Sequence, residues 1–139
     1  MKKLILAASI FAFAVSAQAA TLTEIFTSTD GKVFSLHDVR QVESNGMYVT
    51  LVHRDGGSTG GYLQDVGGTV FAKIVASEGF AKSYVKIANV PKYINVNAAK
   101  YIYCNASNGV LTVGWNFGAP SEFADVGCVV YNQIKALGN

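Results

Sequence analysis

A stretch of twelve residues occurs twice in the chain, and this repetition constrains the fold more than any other feature of the sequence. Residues 65–76 and 125–136 agree at six positions, and each matched residue of the second copy follows its counterpart by 60 positions. The matched pairs are Asp65/Asp125, Val66/Val126, Gly67/Gly127, Val70/Val130, Ile74/Ile134 and Ala76/Ala136. Valine and isoleucine recur every four positions in both copies, which is typical of the buried face of a helix. We therefore predict two similar amphipathic helices, each closing a structural repeat.

Both predicted helices begin with an aspartate followed two residues later by a glycine. Asp65 and Asp125 occupy the position of an N-cap, where a carboxylate accepts hydrogen bonds from the free amides of the first helical turn. Gly67 and Gly127 lower the intrinsic stability of a helix by about 1 kcal/mol each relative to alanine. We therefore expect these glycines to allow a close approach between the start of each helix and a sheet.

Short strand-like segments separated by turn residues precede each helix. In the first half the segments are 22–27, 33–36, 39–44, 47–53 and 62–63. After a linker at 77–83, the second half retraces this plan at 84–87, 93–96 and 99–104. The dipeptides Asn45–Gly46 and Asp55–Gly56 tolerate the positive φ of tight hairpins, so the segments predict antiparallel meanders.

These features predict an α+β fold of two tandem antiparallel ββββα-like repeats, related by internal duplication and packed as a pseudo-dimer. Repeat 1 covers residues 20–80 and repeat 2 covers 81–139, together forming a single mature domain, 20–139. Repeat 1 carries four basic and seven acidic residues, whereas repeat 2 carries five basic and two acidic residues. Opposite net charges favour association of the two repeats. The alternative is a chance similarity between two amphipathic segments.

The first 19 residues have the pattern of a secretory signal peptide. Lys2 and Lys3 form a positive start, residues 4–15 are apolar, and Ala17-Gln18-Ala19 is a small-residue cleavage site. The apolar segment is shorter than the roughly 20 residues that span a bilayer. We therefore predict cleavage near Ala19 and export to the bacterial periplasm or the extracellular space, with no membrane span left in the mature protein.

The two cysteines of the chain are Cys104 and Cys128. In an exported protein such a pair predicts one disulfide. If the bond acts by restricting the unfolded chain, it stabilises the fold by about 3 to 4 kcal/mol. Two free buried thiols are the alternative. The corresponding residues of the first half are Ser44 and Gly68, so the bond would hold only the second helix to its sheet.

Residues that could catalyse a reaction or bind a metal are few. The two histidines, His37 and His53, have neither of the HExxH and CxxC spacings that build zinc sites. No serine has the strand–turn–helix setting of a nucleophile elbow. The glycines of 56–61 lack the lysine of a phosphate-binding loop. The sequence therefore predicts a protein that is not an enzyme, with no catalytic residue, no metal site and no cofactor.

His53, Arg54 and Trp115 are the candidate binding residues. Trp115 shares a strand face with Leu111 and Val113, so packing in the core is its expected role and a binding surface is the alternative. The residue that matches Trp115 in the first half is His53, next to Arg54. Because an imidazole is smaller than an indole, we predict a shallow pocket in the first half.

The leading functional hypothesis is an exported, non-enzymatic protein-interaction or structural module whose partner is a second copy or an envelope component. The alternatives are a module that binds a small ligand or glycan on its sheet face or between the repeats, and an exported enzyme. Without Lys2 and Lys3 the chain has nine basic and nine acidic residues. Phosphate binding requires a basic excess or stripe, so nucleic acid is not expected to be a partner.

The plan of two ββββα units, each closed by a helix, resembles the PUR and whirly group of single-strand nucleic-acid binders. The first unit is also similar to a small bacterial flagellar-operon module, at 31–36, Val39, Val42, 49–51 and 55–56. The resemblance implies the doubled fold and, for the first group, binding of single-stranded nucleic acid. It assigns no functional residue in this chain.

Overall fold

The computed structural model describes residues 25–87 and 91–137. Within these ranges the chain forms ten β-strands and three α-helices, and the strands build three antiparallel sheets. The predicted α+β class is confirmed. The segment predicted as a signal peptide, 1–19, lies outside the described residues and stays a prediction. No helix within 25–87 and 91–137 is long and apolar enough to cross a membrane.

The three sheets contain two, five and three strands. The first consists of β1 (Ile25–Thr27) and β2 (Val33–Ser35). The second has the order β5-β4-β3-β7-β6, with β3 (Val39–Ser44), β4 (Tyr48–His53), β5 (Leu63–Gln64), β6 (Tyr84–Lys86) and β7 (Lys92–Asn95). The third has the order β10-β9-β8, with β8 (Ala99–Asn105), β9 (Val110–Trp115) and β10 (Ser121–Ala124).

The five-stranded sheet combines strands from both halves of the chain, a point that the sequence left open. The hairpin β6–β7 comes from the second half and pairs with β3, where Gln41 lies opposite Ile94 and Val42 opposite Tyr93. Val42 is fully buried, so the backbone of this strand has to find hydrogen-bond partners within the protein. Backbone pairing therefore joins the two halves edge to edge.

The β6–β7 hairpin also separates two hydrophobic cores. Successive residues of β6 point to opposite faces, so Tyr84 belongs to the first core and Val85 to the second. The first core includes Val39, Val42, Val49, Leu51, Leu63, Val70, Ile74 and Phe80. The second includes Ile87, Ile94, Ala98, Leu111, Val113, Trp115 and Val130. The hairpin is thus buried on both faces and forms the middle layer of the molecule.

The helices are α1 (Thr69–Ala76), α2 (Phe80–Ser83) and α3 (Val129–Leu137). α1 and α3 are the two predicted amphipathic helices, and each follows a 3₁₀ turn, Val66–Gly68 or Val126–Cys128. α2 lies in the segment predicted as a linker. Its Phe80 is buried and stacks on Tyr84 with ring centroids 4.4 Å apart, so this one turn of helix covers the first core.

A buried carboxylate caps each long helix from across the 3₁₀ turn. Asp65 accepts hydrogen bonds at Oδ1 from the amide of Val70, at 2.8 Å, and at Oδ2 from the amide of Phe71, at 2.9 Å. Asp125 makes the equivalent two bonds in the second half, both at 3.0 Å. The helix-start amides offset the cost of burying each charge. The aspartates therefore cap the helices as predicted, but from four residues before the first helical residue.

Backbone conformation, and not close packing, requires the glycine in each 3₁₀ turn. Gly67 and Gly127 have φ of +80° and +75°, a region that residues with a side chain rarely adopt. A Cβ added to Gly67 would meet nothing within 4 Å, so the predicted close approach to the sheet is wrong. The following residues, Gly68 and Cys128, also have positive φ, of 69° and 54°. The same unusual turn therefore occurs in both halves.

Candidate functional site

A shallow pocket of about 70 Å³ lies between the two halves of the chain. Its lining consists of Arg40, Arg54, Ala98, Trp115, Asn116 and Phe117. The first two residues come from the five-stranded sheet and the loop after β4, and the others come from the second half. The pocket therefore depends on how the two halves meet.

A bulge in β3 places Arg40 at this pocket. The register of β3 against β4 shifts between Val39 and Gln41, so Arg40 has no directly opposite residue on β4. Its side chain is only 8% exposed although it carries a charge. The register of β8 against β9 shifts in the same way around Lys100, which follows Arg40 by 60 positions. Each half thus contributes a basic residue at a bulge.

The guanidinium group of Arg40 is held by an aromatic ring and two backbone carbonyls. Its central carbon lies 4.8 Å from the centroid of the Trp115 ring, a cation–π distance. Nη1 donates to the carbonyl oxygens of Phe117, at 3.1 Å, and Arg54, at 3.4 Å. The buried Nε has no hydrogen-bond partner among the described residues. These contacts fix the group and leave part of its donor capacity unused.

Arg40 carries a buried charge that no carboxylate neutralises at contact distance. The ion pairs found within 25–87 and 91–137 do not include Arg40. Burial lowers the pKa of Arg40, and the more distant charge of Asp55 opposes that shift. Because an unpaired buried charge is costly, the pocket favours an anion.

The rim of the pocket carries a second cation and an exposed ring. Arg54 is half-exposed, and its Nε lies 3.5 Å from Oδ1 of Asp38. The other oxygen of Asp38 lies 3.3 Å from Nε2 of His37. Phe117 is 64% exposed. A ligand that entered the pocket would therefore meet Arg54 and Phe117 before Arg40.

The structure brings together two of the three candidate binding residues. Arg54 and Trp115 both line the pocket, whereas His53 does not. Trp115 is 6% exposed and its Nε1 donates to Oγ of Ser121 at 2.8 Å, so it packs in the second core and also forms a pocket wall. The pocket therefore lies beside Trp115. The sequence had predicted it in the first half, at His53, the residue that matches Trp115.

Sequence reasoning missed Arg40, the most buried cation of the pocket. The segment 39–42 reads valine, arginine, glutamine, valine, so its two valines are three positions apart. In a regular strand such residues face opposite sides, yet Val39 and Val42 are both fully buried. This break in the alternation was the available signal for a bulge at Arg40.

Within the two described ranges, no three residues of the types His, Cys, Asp and Glu come close enough to hold a metal ion. The sulfur atoms of Cys104 and Cys128 are bonded, with Cα atoms 5.9 Å apart. The bond connects β8 to the 3₁₀ turn before α3. It lies in the second half only.

Comparison with known proteins identifies a structural relative but no family. No known protein family matches the chain, and no characterised protein does either. The structure is similar to the LytTr DNA-binding domain of a protein described as a methyl-accepting/DNA response regulator from Bacillus cereus. The TM-score is 0.51 at 12% sequence identity, and the match covers 83% of this chain and 94% of the other. At this identity the likeness shows a common fold.

This relative corrects several predictions. The resemblance to the PUR and whirly group and to the flagellar-operon module is wrong, because the fold found is that of a LytTr domain. The protein-interaction or structural module, its small-ligand or glycan alternative, and the exclusion of nucleic acid are contradicted, because the structural relative is a DNA-binding domain.

The predicted localisation in the periplasm or outside the cell is contradicted by the same comparison, since the relative is described as part of a DNA response regulator. That prediction depended on residues 1–19, which the structure does not describe. The absence of enzymatic activity is not tested and stays a prediction.

Proposed function

We propose that this chain is a DNA-binding domain that contacts duplex DNA with the end of its sheets where Arg40, Arg54 and Lys100 lie. The observation that carries the proposal is the fold shared with a LytTr DNA-binding domain over 83% of the chain. The pocket adds local support, because it places a buried, unneutralised cation next to an exposed one. We infer that the protein acts by binding and catalyses no reaction.

Localised cations can provide the phosphate contacts that the overall charge does not suggest. Lys100 is exposed, and the ion pairs of the described residues do not include it. Arg54 is half-exposed although it pairs with Asp38, so its guanidinium group can also contact a phosphate. Phosphate contacts of this kind orient a protein on DNA, while base contacts give specificity.

Duplex DNA fits the pocket better than a single strand does. Proteins that bind single strands without sequence preference stack successive bases on exposed aromatic rings. Of the two aromatic residues in the pocket lining, Trp115 is buried and only Phe117 is exposed. The pocket itself therefore offers a single exposed ring, whereas its two arginines suit a phosphate group.

We also propose that the two halves arose by internal duplication and form a strand-sharing pseudo-dimer. Each half has a hairpin, a three-stranded unit with a bulge in its first strand, a 3₁₀ turn with positive φ, and a helix capped by a buried aspartate. The caps and bulges recur at a spacing of 60 residues. Such a duplication accounts for the matching positions of Arg40 and Lys100.

Binding of fluorescent duplexes to the full chain tests the proposed function. Rounds of selection from a random duplex pool, followed by fluorescence anisotropy at low salt, should yield duplexes that bind more tightly than their separated strands. Arg54→Gln and Lys100→Gln should each reduce the salt-dependence slope by about one, since each removes one phosphate contact. Lys86→Gln, at an exposed position of β6, is the matched control and should leave the slope unchanged.

Two results would contradict the proposal. If the chain binds no duplex at 50 mM salt, it is not a DNA-binding domain. If the separated strands bind more tightly than the duplex, the proposed target is wrong and the protein binds single strands.

A further inference from the structure

We propose that the Arg40 pocket receives one phosphate group of the DNA backbone. This inference rests on the proposed DNA binding and extends it by assigning a ligand group to a specific pair of side chains, Arg40 and Arg54. The remaining lining residues, Ala98, Trp115, Asn116 and Phe117, would form the walls.

The first argument is the donor capacity of Arg40. A guanidinium group has five N–H donors. The hydrogen bonds described for Arg40 all come from Nη1, which donates to the carbonyls of Phe117 and Arg54. Nε has no partner within the described residues but is itself shielded from solvent, so the donors left for a ligand are those of Nη2, for which no acceptor is found within 25–87 and 91–137. An oxyanion would supply the acceptors and the negative charge that this environment lacks.

The second argument is access. The exposed Arg54 and Phe117 lie at the rim of the pocket, so an anion that enters passes a second cation before it reaches Arg40.

The third argument is the electrostatic setting. The walls contributed by Trp115 and Ala98 are apolar and buried, and such surroundings strengthen the attraction between Arg40 and an anion. The nearby carboxylates already have partners: Asp38 faces Arg54 and His37, and Oδ1 of Asp55 accepts from the amide of Gly57 at 2.8 Å. A phosphate oxygen shared by two guanidinium groups makes charge-assisted hydrogen bonds, which are stronger than neutral ones.

Salt titration of duplex binding measures the contribution of Arg40. Arg40→Gln should weaken binding of the selected duplex by about tenfold or more and reduce the salt-dependence slope by about one. Arg40→Lys should keep the charge but lose the paired donors of the guanidinium group. The salt-dependence slope should therefore stay unchanged, while the affinity for the duplex should fall. Lys86→Gln serves again as the control. Circular dichroism should show that each variant is folded.

The fluorescence of Trp115 provides a second measurement on the unmodified chain, which does not depend on the stability of a variant. Trp115 is the one tryptophan of the sequence and forms a wall of the pocket. Inorganic phosphate, added at constant ionic strength with chloride as the reference, should change its emission in a saturable way. The selected duplex should produce a similar change and should compete with inorganic phosphate.

The outcomes separate this inference from the proposed function. If the folded Arg40→Gln variant binds the duplex with an unchanged slope and Trp115 does not respond to the duplex, the pocket does not hold a phosphate, although the DNA-binding function stands. If the chain binds no duplex but phosphate changes Trp115 emission through Arg40, the backbone assignment is overturned in favour of free phosphate. If neither the duplex nor inorganic phosphate changes the emission, the pocket binds neither a backbone phosphate nor free phosphate.

Discussion

The guanidinium carbon of Arg40 lies 4.8 Å from the centroid of the Trp115 ring, and the two residues belong to different sheets. Nη1 of Arg40 also donates to the carbonyl of Phe117, just after β9. These contacts connect the five-stranded sheet, whose strands come from both halves of the chain, to the three-stranded sheet of the second half. The pocket and the junction between the sheets are therefore the same structure.

Trp115→Phe should lower the free energy of unfolding by about 1 to 3 kcal/mol. The smaller ring weakens the cation–π contact with Arg40, loses the hydrogen bond to Ser121 and leaves unfilled volume in the second core. Urea unfolding followed by circular dichroism measures the change. Phe117→Leu, at a 64% exposed position, is the control and should cost less than about 0.5 kcal/mol. Equal costs for the two variants would show that Trp115 does not join the sheets.

Asp65→Asn and Asp125→Asn should each destabilise the protein by about 1 to 3 kcal/mol. Each substitution removes a buried charge that accepts two amide hydrogen bonds at a helix start. Because the two caps have the same geometry, the two costs should agree within about 1 kcal/mol. Urea unfolding gives the costs, and hydrogen exchange at the amides of Val70 and Val130 locates the effect. Asp55→Asn, at an exposed position, should change stability little.

Local patterns in the sequence were enough to predict α1, α3 and most strands. The strand predicted at 39–44 has the bounds observed for β3, and the apolar repeat in 65–76 places the face that Val70 and Ile74 bury. Turn residues such as Gly46, with φ of +89°, mark the hairpins. Each of these signals acts within a few residues along the chain.

The features that the sequence did not reveal depend on distant contacts. Gln41 pairs with Ile94, 53 residues away, and nothing in either segment specifies that partner. The short strand β10 and helix α2 were missed because four residues of each carry too little periodicity. Arg40 became recognisable as a site residue only after the β3 bulge and the position of Trp115 were known.

Gly67→Ala should lower stability by about 1 to 2 kcal/mol, since a residue with a Cβ is strained at a φ of +80°. No atom lies within 4 Å of the added carbon, so the cost would come from backbone conformation alone. Gly60→Ala is the control, because its φ is not positive and its nearest neighbour, Oγ of Ser58, is 3.8 Å from the added carbon. A cost at Gly67 no greater than that at Gly60 in urea unfolding would contradict this explanation of the repeated glycine.

Asp30 should stabilise the β1–β2 hairpin at neutral pH but not in acid. The Lys32 ammonium group, together with the Ser28 hydroxyl, lowers the pKa of Asp30 below its ordinary value of 3.8. A carboxyl with a lowered pKa stabilises the fold above that ordinary value, and this contribution is lost as the pH falls through the folded-state pKa. The stabilities of the original chain and Asp30→Asn should therefore differ at pH 7 and converge well below pH 4. A constant difference across this range would contradict the assignment.

Loss of the disulfide should destabilise the second half more than the first. The bond closes a loop with a sequence separation of 24 residues, and its removal should cost about 3 to 4 kcal/mol if it acts by restricting the unfolded chain. Cys104→Ala combined with Cys128→Ala should therefore accelerate hydrogen exchange in α3, while α1, which has Gly68 in place of the cysteine, serves as the internal reference. A thiol count in denaturant without reductant should find no reactive thiol. Two reactive thiols would contradict the bond, and equal acceleration in α1 and α3 would contradict its local role.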